Sequence, residues 1–248
     1  MKCDATKTPR NTAARTIIIP YNMKLNVTRK FFYMILLSAF TKPIAAQLID
    51  GESPFILAGV STRVNKQVNL NLYGAYNPSD NIKAVALLPF IQLGKHITAS
   101  PGYMYVWSPP VNGKMVIEHH LLPALTYHTN LGSRWILEDR NMWWQRIRGN
   151  GLDDLSFYRN RLRFVFHTQL NQKLFRVFAG DEAFYSIDLG RWSRNRLGFG
   201  SSYAVFKWLT AEAVYTWQTD HVLPNRNVYF FTFTVPLEKY GVFTKSKP

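Results

Sequence analysis

The chain has 248 residues, 15% of them aromatic, and carries 30 Lys and Arg against 15 Asp and Glu, a formal net charge of +15. Its single cysteine, Cys3, excludes an intrachain disulfide. After position 46 no stretch approaches the ~18 consecutive apolar residues of a membrane-crossing helix, so any passage through a bilayer has to be made with strands.

Residues 1–22 show no hydrophobic period and read as an unstructured extension or a mis-set start ahead of Met23. Residues 23–46 read as a signal peptide. Lys24, Arg29 and Lys30 precede the short apolar run from Phe31 to Phe40, and Ala46 closes a stretch suited to cleavage. Residues 1–46 hold eight of the basic residues and one of the acidic ones, so residues 47–248 keep 22 against 14, net +8, and no cysteine.

From Phe55 onward the chain reads as strand after strand. Phe55 to Val64 and Val68 to Tyr76 flank Asn65-Lys66-Gln67, and Ile82 to Leu93 and Ile97 to Trp107 flank Gly94-Lys95-His96. Met115 to His128 and Trp135 to Arg146 flank Thr129 to Gly132. Ser156 to Gln169 meets Leu174 to Tyr185 across Asn171-Gln172-Lys173. Trp192 to Phe206 meets Leu209 to Gln218, and Asn227 to Val235 comes last. Tight connectors rich in Asn, Gly and Lys are hairpin signals. Longer connectors at 77–81, 108–114, 147–155, 186–191 and 219–226 are expected at the opposite rim. This makes eleven stretches. A meander that starts with a short turn places the beginning of its first strand at the long-loop rim. Either Gln47 to Pro54 then threads back inside, or a strand has been missed or split.

The sharpest stretch is Ser156 to Gln169. Arg159, Arg161, Arg163, Val165 and His167 share one parity, and Asn160, Leu162, Phe164 and Phe166 share the other. Successive strand side chains point to opposite sides of a sheet, so this strand has a cationic face and a greasy one. The pattern recurs. Glu118 and His120 oppose Ile117, His119 and Leu121; Glu138 and Arg140 oppose Trp135, Leu137 and Trp143. Arg194 and Arg196 oppose Leu197 and Phe199, and Glu212 opposes Ala211, Ala213 and Tyr215. A soluble sandwich hides Val, Ile and Leu and exposes scattered charge. Here the polar parity carries opposite charges on expected neighbours, and the apolar parity is aromatic, which favours a barrel in lipid.

The order of Glu118-His119, the Tyr158-Arg159-Asn160-Arg161-Leu162-Arg163 strand, Glu182 to Tyr185 and a second Arg194-Asn195-Arg196 resembles the outer-membrane barrel family of unknown function DUF2490 over most of Phe55 to Leu237. The resemblance implies an outer-membrane barrel, of the kind frequent in Bacteroidetes-like bacteria, and supplies no catalytic residues. The tail from Glu238 to Pro248 departs from the usual terminal aromatic, leaving Phe233 or Phe243 to serve as insertion signal.

The strongest constellation is a set of lumenal charges: Glu118, Glu138, Arg140, Arg159, Arg161, Arg163, Arg176, Glu182, Arg194, Arg196 and Glu212. Like charges on one strand repel at low dielectric unless carboxylates on neighbouring strands pair with them. The set therefore reads first as an Arg–Glu lattice that fixes register and plugs the barrel. On that reading, removing Arg161 leaves a buried carboxylate unpaired. Excess arginine reads second as a path or site for carboxylate or phosphate. An outer-membrane lipid hydrolase is a third reading, with His119 on the outer wall and His128, His167 and His221 near strand ends. No Gly-x-Ser-x-Gly occurs, and Glu118-His119-His120 lacks the His-Glu-x-x-His spacing of a zinc helix. No catalytic residue, metal or cofactor is expected.

The arginines alternate within strands rather than forming a basic patch with stacking rings, which argues against nucleic acid. Lys114, Arg146, Arg148 and Arg191 in the connectors suit lipopolysaccharide phosphates or ordinary solvation. The sequence thus predicts an all-β chain, a single antiparallel up-and-down transmembrane barrel of about 10–12 strands over residues 47–248. Its expected place is a Gram-negative outer membrane, with lipid, lipopolysaccharide and small anionic solutes as partners. A soluble, lipocalin-like carrier is the alternative.

Overall fold

A computed structural model describes residues 51–111, 114–221 and 223–237. The expected extension and signal peptide, and Phe243, lie outside these residues. The described chain is eleven strands. They are β1 (Glu52–Arg63), β2 (Val68–Asn77), β3 (Ile82–Gln92), β4 (Ile97–Val111), β5 (Lys114–Asn130), β6 (Trp135–Arg148), β7 (Leu155–Leu170), β8 (Lys173–Ser186), β9 (Arg191–Phe206), β10 (Leu209–Asp220) and β11 (Arg226–Pro236).

Each strand pairs antiparallel with the next, and the sheet closes on itself through β1 and β11. Eleven alternating strands leave the first and last running the same way, so the closing seam is parallel, from Glu52↔Asn227 to Ser61↔Pro236. This resolves the odd count. Among the described residues the eleven strands close the barrel, and Ser53 and Pro54 sit in the wall as part of β1 rather than threading back inside.

The local chemistry explains the connectors. Asn171 and Gln172 both have positive φ (52° and 62°), the geometry of a two-residue turn whose twist matches the flanking strands. The expectation of a long loop over 108–114 is corrected: β4 runs to Val111 and β5 starts at Lys114. β6 likewise extends to Arg148, so the strands, rather than irregular loops, carry the chain outward at that rim.

The two parities separate as the period of two requires. Inside, Phe184 and Gln218 are each 1% exposed. Outside, Leu125, Trp143, Leu197 and Phe199 stand 54–61% exposed. Burial is therefore inverted relative to a soluble sheet, with apolar side chains outward and ionised ones inward.

Candidate functional site in the lumen

The cationic parity of β7 faces a carboxylate on each side. Glu138, directly across from Arg163 in β6, accepts from its Nε at 2.8 Å and its Nη2 at 2.5 Å. Glu182, on β8, accepts from Arg159 Nη2 at 2.7 Å and has Arg196 Nη1 at 3.7 Å. On β9 and β10 the partners lie straight across. Arg194 Nε donates to Asp220 at 2.7 Å and Arg196 Nε to Gln218 Oε1 at 2.8 Å. Arg176 Nη2 donates to Ser202 Oγ at 3.1 Å.

Glu118 belongs to a second cluster, towards the loop rim. Arg146 grips it with both Nε and Nη2 at 2.9 Å, Arg148 Nε stands at 3.6 Å, and His120 Nε2 lies 2.7 Å from Oε2. The placing of Arg146 and Arg148 in a connector is thereby corrected. Both continue the inward parity of β6, where a nearly buried carboxylate holds them rather than the surface. Lys114 and Arg191 are likewise the first residues of strands β5 and β9.

Two members of the set are left over. Arg140 and Arg161 sit directly opposite each other in the β6–β7 register, and among the described residues neither makes an ion pair. Arg140 Nη2 has only the soft Met142 Sδ, at 3.6 Å. Arg161 Nε is buried without a hydrogen-bond partner, as are Arg159 Nε and the Trp144 indole N–H. Buried polar groups are normally satisfied, and an unpartnered guanidinium N–H within a pair of adjacent cations suits an acceptor that carries negative charge. Glu212, the remaining predicted member, has no ion pair among the described residues, and its cross-strand neighbours are Ser202 and Thr232.

Aromatic rings that the charge pattern did not single out organise these arginines. Phe184 lies under Arg159, Arg194 and Arg196 at 4.6, 5.4 and 5.0 Å from its centroid, and Trp144 under Arg159 and Arg146 at 5.0 and 5.6 Å. Phe178 carries Arg163 at 4.7 Å, in space left open by Gly200, where a Cβ would stand 2.8 Å from the ring. Planar guanidinium groups stack on rings at little desolvation cost, so these rings keep the cations in fixed positions. The available signal was parity: Phe178 and Phe184 share the face of Glu182.

The outer wall departs from a uniformly apolar band. Asn160, on the greasy parity of β7, donates to Asp139 at 2.7 Å and to Asn141 at 3.1 Å, while Asn195 donates to Asp181 at 2.8 Å. His119 on the same outer wall has Tyr103 Oη at 2.8 Å from Nδ1 and the Tyr105 ring edge-on. It is set in a tyrosine pair rather than against a serine. Among the described residues no three His, Cys, Asp or Glu side chains gather as for a metal ion.

The model of a protein family of unknown function, DUF2490, matches residues 83–229, from the third strand into the last. No curated protein matches the chain. The matched stretch carries the two-faced strands and all eleven charges of the lumenal set, and the chain belongs to the DUF2490 family.

Proposed function

We propose that the protein is a non-catalytic barrel of a Gram-negative outer membrane whose lumen selects small anions. The observation that carries this reading is the Arg140–Arg161 pair, two neighbouring inward cations that make no ion pair among the described residues. Fixed positive charge in a confined, low-dielectric passage lowers the barrier for carboxylate or phosphate and raises it for cations. The membrane part of the proposal is supported by the outward band. A soluble protein rarely leaves a large contiguous apolar surface exposed, whereas lipid requires one.

The test has two stages. Fractionation with gel mobility before and after boiling places the protein: an outer-membrane band that shifts on heating supports the barrel in lipid. A soluble periplasmic product would recast it as a carrier. Reversal potentials in planar bilayers then read selectivity. Wild-type protein favours chloride and acetate over potassium, and Arg140→Gln/Arg161→Gln loses most of that preference. Unchanged selectivity in the double variant would overturn the reading.

A tighter structural role is the second reading. The ion pairs from Glu118 to Asp220 cross-link every neighbouring pair from β5 to β10, the β8–β9 pair by the longer contact of Arg196 with Glu182. It expects a folded barrel with no measurable conductance.

A further inference from the structure

The lumen is divided lengthwise. Between the rims its charged residues lie on β5–β10, and the inward positions of β1–β4 are uncharged, Leu57, Tyr73, Ala86, Leu88, Met104 and Val106 among them. At the level of the unpaired cations the apolar side reaches further round, onto β5 and β6. Arg140 touches Met142, and Met142 belongs to an apolar cluster with Leu122 and Ala124, against which Leu88 and Met104 pack. A cationic pair with orphaned donors therefore adjoins an apolar wall that continues away from it across β5, β4 and β3.

A small inorganic anion needs only the first half of this arrangement. We propose that the lumen binds a single-chain anionic amphiphile, with its carboxylate or phosphate on Arg140 and Arg161 and its hydrocarbon body along Met142, Leu122, Met104 and Leu88. This rests on the anion-selective reading of the same arginines and adds the substrate class. The two head groups share the needed chemistry, negative charge with several acceptor oxygens that planar guanidinium groups bind in pairs. The tail supplies the discrimination. Each methylene that leaves water adds about fourfold in affinity, so even a few contacts separate a long-chain anion from acetate by orders of magnitude.

The experiment is equilibrium binding of radiolabelled dodecanoate to the purified full chain in a neutral maltoside detergent, competed with acetate, dodecanol and dodecyl phosphate. Dodecanoate is expected to bind saturably, at least a hundredfold tighter than acetate competes, and dodecanol to compete poorly. Arg140→Gln/Arg161→Gln should weaken dodecanoate at least tenfold, and Leu88→Gln several-fold without altering the competition by acetate. If the double variant fails to show the heat-dependent mobility of a folded barrel, Arg161→Gln alone replaces it, because that change breaks no ion pair. Dodecyl phosphate binding tighter or weaker than dodecanoate names the head group, and either order keeps the amphiphile. Dodecanoate binding no tighter than acetate, or equally tight in the arginine variants, overturns the proposal. In that event an intact arginine-dependent anion selectivity leaves the proposed function standing. A selectivity indifferent to both arginines removes the two readings together.

Discussion

Arg161 lies directly across from Glu182 in the β7–β8 register, yet the carboxylate is held by Arg159 at 2.7 Å and approached by Arg196 at 3.7 Å. A residue's cross-strand neighbour is thus not its electrostatic partner here. Long guanidinium arms reach diagonally, and the one closest in register is left over. The lattice expectation that loss of Arg161 strands a carboxylate is corrected by this geometry.

Arg161→Leu should therefore be near neutral for stability, or slightly stabilising, since it removes a cation from among like charges. Arg159→Leu should cost about 2–3 kcal/mol, less than the 3–5 kcal/mol typical of breaking a buried pair because Arg196 remains near Glu182. Denaturant unfolding of the two variants in lipid vesicles compares them. Equal losses would show that Arg161 is bound into the lattice after all.

The parallel seam has its own fastening. Asp80 Oδ2, in the β2–β3 turn, accepts from Ser53 Oγ at 3.1 Å, Asn77 Nδ2 at 2.9 Å and Arg226 Nη1 at 3.2 Å, tying β1 and β2 to β11. Asp80→Ala should lower stability by about 1–2 kcal/mol, mostly through the buried Asn77 and Ser53, since the Asp80–Arg226 pair is partly exposed and contributes little. The expected sign is a lower temperature for the mobility change on heating. A seam indifferent to Asp80 would leave the midpoint where it was.

Leu162 stands 40% exposed on the outer face of β7. If lipid meets that face, Leu162→Arg costs about 2–4 kcal/mol near the bilayer midplane. On a water-facing wall the same change stays within about 0.5 kcal/mol. Folding titrations into vesicles distinguish the two, and a neutral result would argue against lipid contact at this position.

Gly200 leaves room for the Phe178 ring on which Arg163 stacks. A methyl there would stand 2.6 Å from the Ala213 carbonyl oxygen and 2.8 Å from the ring. Gly200→Ala should cost about 1–3 kcal/mol by overpacking. Shrinking the ring as well, in Gly200→Ala/Phe178→Leu, should recover part of that loss, and no recovery would mean that the backbone contact dominates.

The faces of the strands were legible in the sequence because a period of two is local. Once Arg159, Arg161 and Arg163 alternate with Leu162 and Phe164, one side of the sheet is settled whatever its neighbours are. The hairpin at Asn171-Gln172 was legible for the same reason. Asn160 shows the limit. Its parity grouped it with Leu162 and Phe164, but four further polar residues on strands β6 to β9 make the outer wall there a hydrogen-bonded patch, which no single strand displays.

By itself the sequence determined an all-β chain, its alternation of charged and apolar faces, and the family it resembles. Tertiary structure decided that the eleven strands close through a parallel seam, that Glu118 draws in Arg146 and Arg148, and that Arg140 and Arg161 make no ion pair among the described residues. The physical reason is register. Which strand faces which, and how far each is staggered, depends on pairing around the whole barrel, and a shift of two residues would keep every face while changing every ion pair.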